Sequence, residues 1–246
     1  MSYLIAGATK GLGRDLAYEF AKNSKDLIII SRNKDDLEKL KDELEKNFDI
    51  KVLIFELDLS SQNNVKNFIN ENNKILNTLD GALFPVGMMD NADTIKNADS
   101  NLEKLISANF LSIVYLVNKL SKIFKEKNSG AIIGFGSVSA SFGRQINTIY
   151  SSAKKALESY FESLIVTNDS GNIKIQFYIL GYLDTRLSLD KKLLFPKGST
   201  KKLSRIVFNN LNKKGIKRYF PFWWLFIILI IKILPFFVVK KIIKNF

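Results

Sequence analysis

Over the first 180 residues, short runs of aliphatic and β-branched residues alternate with longer stretches whose apolar positions return every three or four residues. The short runs predict strands at residues 3–6, 27–31, 52–57, 81–84, 131–135 and 173–179, apolar enough on both faces for the interior of a parallel sheet. Between them the spacing predicts covering helices. In residues 35–47, Leu37, Leu40 and Leu44, with Phe48 after them, recur opposite a Lys/Glu/Asp face. This alternation predicts one α/β unit, a doubly wound parallel sheet with helices on both faces. No internal repeat and no Gly/Ser- or Pro-rich linker interrupts it before about residue 190.

The 246 residues can bury one large core without covalent staples. The sequence has no Cys and no His, which excludes a disulfide framework, a thiol nucleophile, a zinc site built on thiolate or imidazole, and a Ser-His-Asp triad. No metal site is expected. The formal net charge of +13 is concentrated at one end: residues 1–190 hold 23 Lys+Arg and all 24 Asp+Glu, whereas residues 191–246 hold 14 Lys+Arg and no acid. Those cations flank apolar and aromatic residues instead of forming a stripe on the folded body, so a membrane surface, not nucleic acid, is the expected partner. The organisation expected is a catalytic unit over 1–190, a basic amphipathic segment at the substrate mouth over 191–218 and a hydrophobic, Lys-flanked tail over 219–246. Met1-Ser2-Tyr3 leads straight into the first strand, leaving no room for a cleaved signal peptide, and a cytoplasmic start is the expectation.

After the first strand comes Gly7-Ala8-Thr9-Lys10-Gly11-Leu12-Gly13, and a helical run follows at once. Glycines at a strand-to-helix turn let a pyrophosphate approach the free N–H groups at the helix N-terminus. The second strand ends in Ser31-Arg32 where an NAD-binding pattern has an acid for the ribose 2′-hydroxyl. A cation there, with Lys10 as a second, suits a 2′-phosphate and favours NADPH over NADH; solvated surface charges are the alternative. Asp58-Leu59 falls where a loop meets the adenine, unless Asp58 serves the N-terminus of the next helix.

Tyr150 and Lys154 are four residues apart at the start of an amphipathic helix and share one face. A neighbouring ammonium favours the phenolate by charge, so the pair can pass a proton to a carbonyl oxygen. Ser137, just after the fifth predicted strand, supplies a hydroxyl for that oxygen.

The glycine turn, Ser137, Tyr150 and Lys154 together resemble the short-chain dehydrogenase/reductases, single-domain Rossmann-type enzymes that move a hydride between a nicotinamide and a carbonyl or alcohol carbon. The resemblance covers roughly residues 2–190. It implies that Tyr150 is the general acid in reduction, that Lys154 binds the nicotinamide ribose and lowers the Tyr150 pKa, and that Ser137 polarises the substrate oxygen. It further implies that Asn109, on a helix expected over residues 102–125, holds a proton-relay water, that Gly87 meets the adenosine ribose and that Thr185 contacts the nicotinamide amide. Three positions depart from the family pattern. Ala6 replaces a Thr that braces the glycine loop, Phe84-Pro85-Val86-Gly87 replaces Asn-Asn-Ala-Gly, and Leu180-Gly181 replaces Pro-Gly.

Residues 219–239 are almost wholly apolar, with aromatics at both ends and Lys213, Lys214, Lys217, Arg218, Lys240, Lys241 and Lys244 outside them, as in an interfacial anchor. One helix over 222–239 would reach about 27 Å, just under a ~30 Å hydrocarbon core. Lys232 and Pro235 suit a broken segment lying in one leaflet. A single span, or a soluble reading as dimer interface or pocket lid, stays open. Residues 201–212 predict an amphipathic helix near the mouth, and 186–212 are expected to set specificity. The tail is similar to that of reductases acting on polyprenyl-phosphate keto-sugars, which implies a lipid-linked or cell-envelope keto-sugar as substrate and attachment through 213–246 to the inner face of the membrane. A 3-oxoacyl or 3-keto-lipid reductase is the alternative, and a catalytically idle NADPH-binding scaffold or sensor is the alternative of another class. A homodimer or homotetramer is frequent among such relatives.

Overall fold

Each apolar run forms a strand, in a computed structural model that describes residues 1–94, 101–168, 171–185 and 195–244. In chain order the elements are β1 Ser2–Ala6, α1 Gly11–Lys22, β2 Asp26–Ser31, α2 Lys34–Asn47, β3 Val52–Glu56, α3 Gln62–Glu71, α4 Asn73–Leu76, β4 Gly81–Phe84, α5 Leu102–Ile106, α6 Ser112–Glu126, β5 Gly130–Ser137, α7 Thr148–Thr167, β6 Ile173–Leu180, α8 Thr200–Asn209, β7 Ile216–Phe220, α9 Trp223–Ile233 and α10 Phe236–Lys244. The strands form one sheet in the order β3-β2-β1-β4-β5-β6-β7, every pair parallel. The order reverses between β1 and β4, and the carboxyl ends of strands at such a switch point open onto a ligand crevice.

The sheet is buried on both faces. On one, Leu4, Ile28 and Ile132 meet Val65 of α3, Leu116 of α6 and Phe161 of α7. On the other, Ile5, Ile29 and Ile133 meet Phe20 of α1, Leu40 of α2 and Leu203 of α8. Alternate residues of each strand point to opposite faces, and the continuous apolar runs supply both.

The structure differs from the sequence reading at two places. First, the single helix expected over 102–125 is interrupted by a π-turn, Ser107–Leu111, between α5 and α6. Second, the sheet continues beyond residue 190. Residues 216–220, read from the sequence as basic flank and tail, pair in parallel with Gln176 to Leu180 of β6. Lys217 and Arg218 hide this strand from a search for apolar runs, but at a sheet edge charge is tolerated. Lys217 is held by Glu158 at 2.8 Å and by Glu162, both on α7. The tail breaks at Pro235 as the sequence reading favoured, and the one long helix that a single span needs does not form. Pro235 cannot donate a backbone hydrogen bond, and α9 ends at Ile233 while α10 begins at Phe236. Among the described residues, no helix is long and apolar enough to cross a membrane.

Candidate active site

The glycine turn is a backbone device. Gly7 and Gly11 adopt φ of +82° and +52°, a region that glycine enters without steric cost. A Cβ on Gly13 would sit 2.0 Å from the Gly7 carbonyl oxygen, so only glycine lets α1 close against the turn. Lys10, at the N-cap of α1, makes no capping side-chain bond, whereas Asn33, Ser61 and Ser199 cap α2, α3 and α8. The amino end of α1 thus has no side-chain cap and suits an anion such as pyrophosphate. Ala6 supplies no bracing hydroxyl, and Thr9 braces the turn instead, its Oγ1 lying 2.9 Å from Ser31 Oγ.

At the far edge of the turn, Lys10 is paired with Asp36 at 2.9 Å, and Arg32 lines the cleft nearby. Asp58 accepts from both the backbone N–H and the hydroxyl of Ser60, each at 2.9 Å. The cap of α3 is Ser61, not Asp58.

The other half of the site is carried by β5 and α7. Ser137 ends β5, with its Oγ 2.8 Å from Ser139 Oγ. Tyr150 and Lys154, one turn apart on α7, both line the cleft with it. Burial pushes the Tyr150 phenol above its ordinary pKa, while the nearby Ser137 hydroxyl and the charge of Arg144 pull it back. Lys154 is only 2% exposed. Its Nζ donates to the carbonyl oxygens of Val86 at 2.7 Å and Phe135 at 2.9 Å, and lies 6.0 Å from the centre of the Tyr150 ring. Burial lowers its pKa to about 7.

The placement of α7 depends on Asp93, which the sequence reading misses. The N-cap residue Asn147 is left-handed and contributes no side-chain bond. In its stead Asp93 Oδ1 accepts from Thr148 Oγ1 and from Ile149 N–H, both at 2.8 Å, and Oδ2 accepts from Tyr150 N–H at 2.9 Å. A carboxylate at the positive end of a helix is favoured by charge as well as by its hydrogen bonds. No local pattern reveals this cap, because it comes from 55 residues upstream.

The cleft has a volume of about 980 Å³ and brings together Gly7, Thr9, Lys10, Gly11, Leu12, Ser31, Arg32, Asp58, Leu59, Gly87, Ser137, Tyr150, Lys154 and Thr185. Gly13 and Asn109 stand behind its wall. Asn109 is fully buried; its amide donates to the carbonyls of Met88 (2.8 Å) and Leu105 (2.9 Å), and its Oδ1 accepts from Met88 N–H (3.0 Å). These bonds tie the loop after β4 to the π-turn.

The tail helix reaches the cleft too. Trp224 packs edge-to-face on Tyr182, a cleft residue, at 5.5 Å and on Phe195 at 5.1 Å. A Cβ on Gly181 would lie 1.9 Å from Trp224 Nε1, so the glycine after β6 is the seat of that indole.

With this geometry in view, comparison with known proteins is specific. The family described as short chain dehydrogenase matches residues 2–192. A dehydrogenase/reductase SDR family protein 7-like of Anopheles gambiae is 28% identical over 191 residues, 76% of this chain and 60% of that one. An NADP-dependent 3-hydroxy acid dehydrogenase of Schizosaccharomyces pombe is 27% identical, over 76% of this chain and 73% of that one. A very-long-chain 3-oxoacyl-CoA reductase of Bos taurus is 24% identical, over 80% and 64%. The chain thus spans less than two thirds of the Anopheles and Bos proteins it matches. The fold also matches L-sorbose reductase from Gluconobacter frateurii, solved with NADPH and L-sorbose, with a TM-score of 0.77 at 19% identity over 89% of this chain and 94% of that one.

Proposed function

The chain belongs to the short-chain dehydrogenase/reductase family, and from that premise we propose that it is an NADPH-dependent carbonyl reductase. The observation that carries this reading is the convergence of Ser137, Tyr150 and Lys154 on the cleft that begins at the uncapped end of α1. The N–H groups of the Gly7–Gly13 turn would hold the pyrophosphate, Arg32 the 2′-phosphate and Thr185 the nicotinamide end. When bound, the dinucleotide supplies the hydride that forms the new C–H bond at the carbonyl carbon. Ser137 donates a hydrogen bond to the carbonyl oxygen. Tyr150 transfers its phenolic proton to the same oxygen as the C=O π bond becomes a C–O single bond. Lys154, held by two carbonyls, places a cation beside the phenolate that results and favours its formation.

The substrate proposed is a lipid-linked or cell-envelope keto-sugar, taken up at an anionic membrane surface on the inner face. Support comes from α9: Phe226, Leu229, Ile230 and Ile233 are exposed on the helix whose other face carries Trp224 to the cleft. Lys232 on the same helix and Lys240 and Lys241 on α10 are exposed as well, and apolar and basic residues together suit lipid headgroups. The name of the Bos taurus relative favours a second reading, a 3-oxo-lipid reductase. NADPH and NADH oxidation with keto-sugar and 3-oxoacyl acceptors tests the proposal. Oxidation no faster than in Tyr150→Phe would overturn the reductase reading, and flotation of the full chain with anionic liposomes tests the surface.

A further inference from the structure

We infer that the cleft receives a substrate whose carbonyl lies within a few bonds of an anionic group, and that Arg144 binds that group. This rests on the reductase reading of the site and adds the charge of the substrate to it. Arg144 lines the cleft together with Ser137 and Tyr150. It stands in the short segment between β5 and α7, which is pinned by a bridge from Ile146 to Thr94 and by the Asn147 N–H to the Asp93 carbonyl at 2.6 Å.

Four other cations of the folded body are paired, Lys10 with Asp36, Arg14 with Glu43, Arg205 with Glu19 and Lys217 with Glu158, and Arg32 lies at the cofactor end of the cleft. Arg144, half-buried, has no hydrogen bond or ion pair with any described residue. The described acids lining the cleft, Asp36 and Asp58, lie at the cofactor end and are occupied by Lys10 and Ser60. The Asp93 carboxylate is filled by α7. A partly desolvated guanidinium with a planar fork of donors, and no counter-charge among the described residues, is matched by a phosphate or a carboxylate. Its charge also reaches the Tyr150 phenol, so an anion seated on it keeps its own carbonyl beside the proton donor. That shared chemistry fits a phosphate next to a keto-sugar and the carboxylate of a 3-oxo acid.

The test compares matched pairs on the full chain: dihydroxyacetone phosphate against dihydroxyacetone, acetoacetate against methyl acetoacetate, and 3-oxododecanoate against its methyl ester. Calorimetric binding to the NADP-loaded protein is measured beside NADPH turnover. The expected result is a kcat/KM at least tenfold higher for the anionic member of at least one pair, carried by KM. The pair that shows it distinguishes phosphate from carboxylate. Arg144→Gln should collapse that ratio at least fivefold, and Arg144→Lys should restore part of it. Equal kcat/KM within every wild-type pair, or an equal loss for both members in Arg144→Gln, would overturn the inference and leave Arg144 acting on Tyr150 alone. A protein that binds the anionic members through Arg144 but reduces none keeps the inference and refutes the reductase reading.

Discussion

Two helices border the same cleft and are fixed in opposite ways. α7 is held by polar bonds from distant parts of the chain: Asp93 at its amino end, Lys217 on Glu158, and two backbone carbonyls on Lys154. α9 is held through Trp224 and Ile228, 4% and 1% exposed, while Ile230 and Ile233 face outward at 61% and 83%. Directional bonds set the position of a side chain to within a fraction of an ångström, as proton transfer requires. Apolar burial on one side fixes a helix and leaves its other face able to meet another apolar surface.

Five measurements test this difference between the two helices. Tyr150→Phe removes the transferable proton and should lower kcat for reduction about 10²- to 10⁴-fold with the fold intact by circular dichroism. Trp224→Ala empties the seat on Gly181 and should cost about 3–5 kcal/mol in urea unfolding, showing how much of the core belongs to the tail. Asp93→Ala leaves the amino end of α7 without its cap and should cost about 2 kcal/mol and lower kcat, while Asp93→Asn recovers part of both. Equal kcat in wild type and Asp93→Ala would show that α7 needs no such anchor.

The fourth concerns pH. Folding lowers the Lys154 pKa from 10.5 to about 7, so between those values the unfolded chain binds the extra proton. The cost of burying the ammonium is present in full below about pH 7 and is relieved as pH rises towards 10.5. Lys154→Met should therefore gain stability relative to wild type at pH 6 and lose that gain by pH 10. Reduction by the wild type should fall as pH rises through about 7, because neutral Lys154 no longer supports the Tyr150 phenolate. The smallest effect on folding belongs to the outer face of α9. Phe226→Gln, Ile230→Gln and Ile233→Gln should each change stability by no more than about 0.5 kcal/mol. Together they should release the chain from anionic liposomes; continued flotation of the triple variant would break the contrast.

What could be read from the sequence follows the range of the forces. The first six strands are legible because their runs are mostly apolar, buried on both faces in all but the edge strand β3, and Ser137, Tyr150 and Lys154 because strand end and helix turn fix their spacing locally. β7 escapes because Lys217 and Arg218 interrupt its run, and the α7 carboxylates that hold Lys217 lie more than 50 residues earlier. Asp93 and Arg144 escape for the same reason: an ordinary loop acid and loop cation gain meaning only from what the fold sets opposite them. β7 also changes how the tail can be tested, because truncation after residue 212 would remove an edge of the sheet along with the apolar helix.

Trp223 and Trp224 are the two tryptophans of the chain, and both stand in the first turn of α9. Neither indole N–H has a hydrogen-bond partner among the described residues. The intrinsic tryptophan fluorescence is therefore emitted from one point, where the tail leans on the cleft. Its wavelength reports the polarity at that contact, and energy transfer to a bound reduced nicotinamide reports occupancy of the site, so one unlabelled optical signal follows both events.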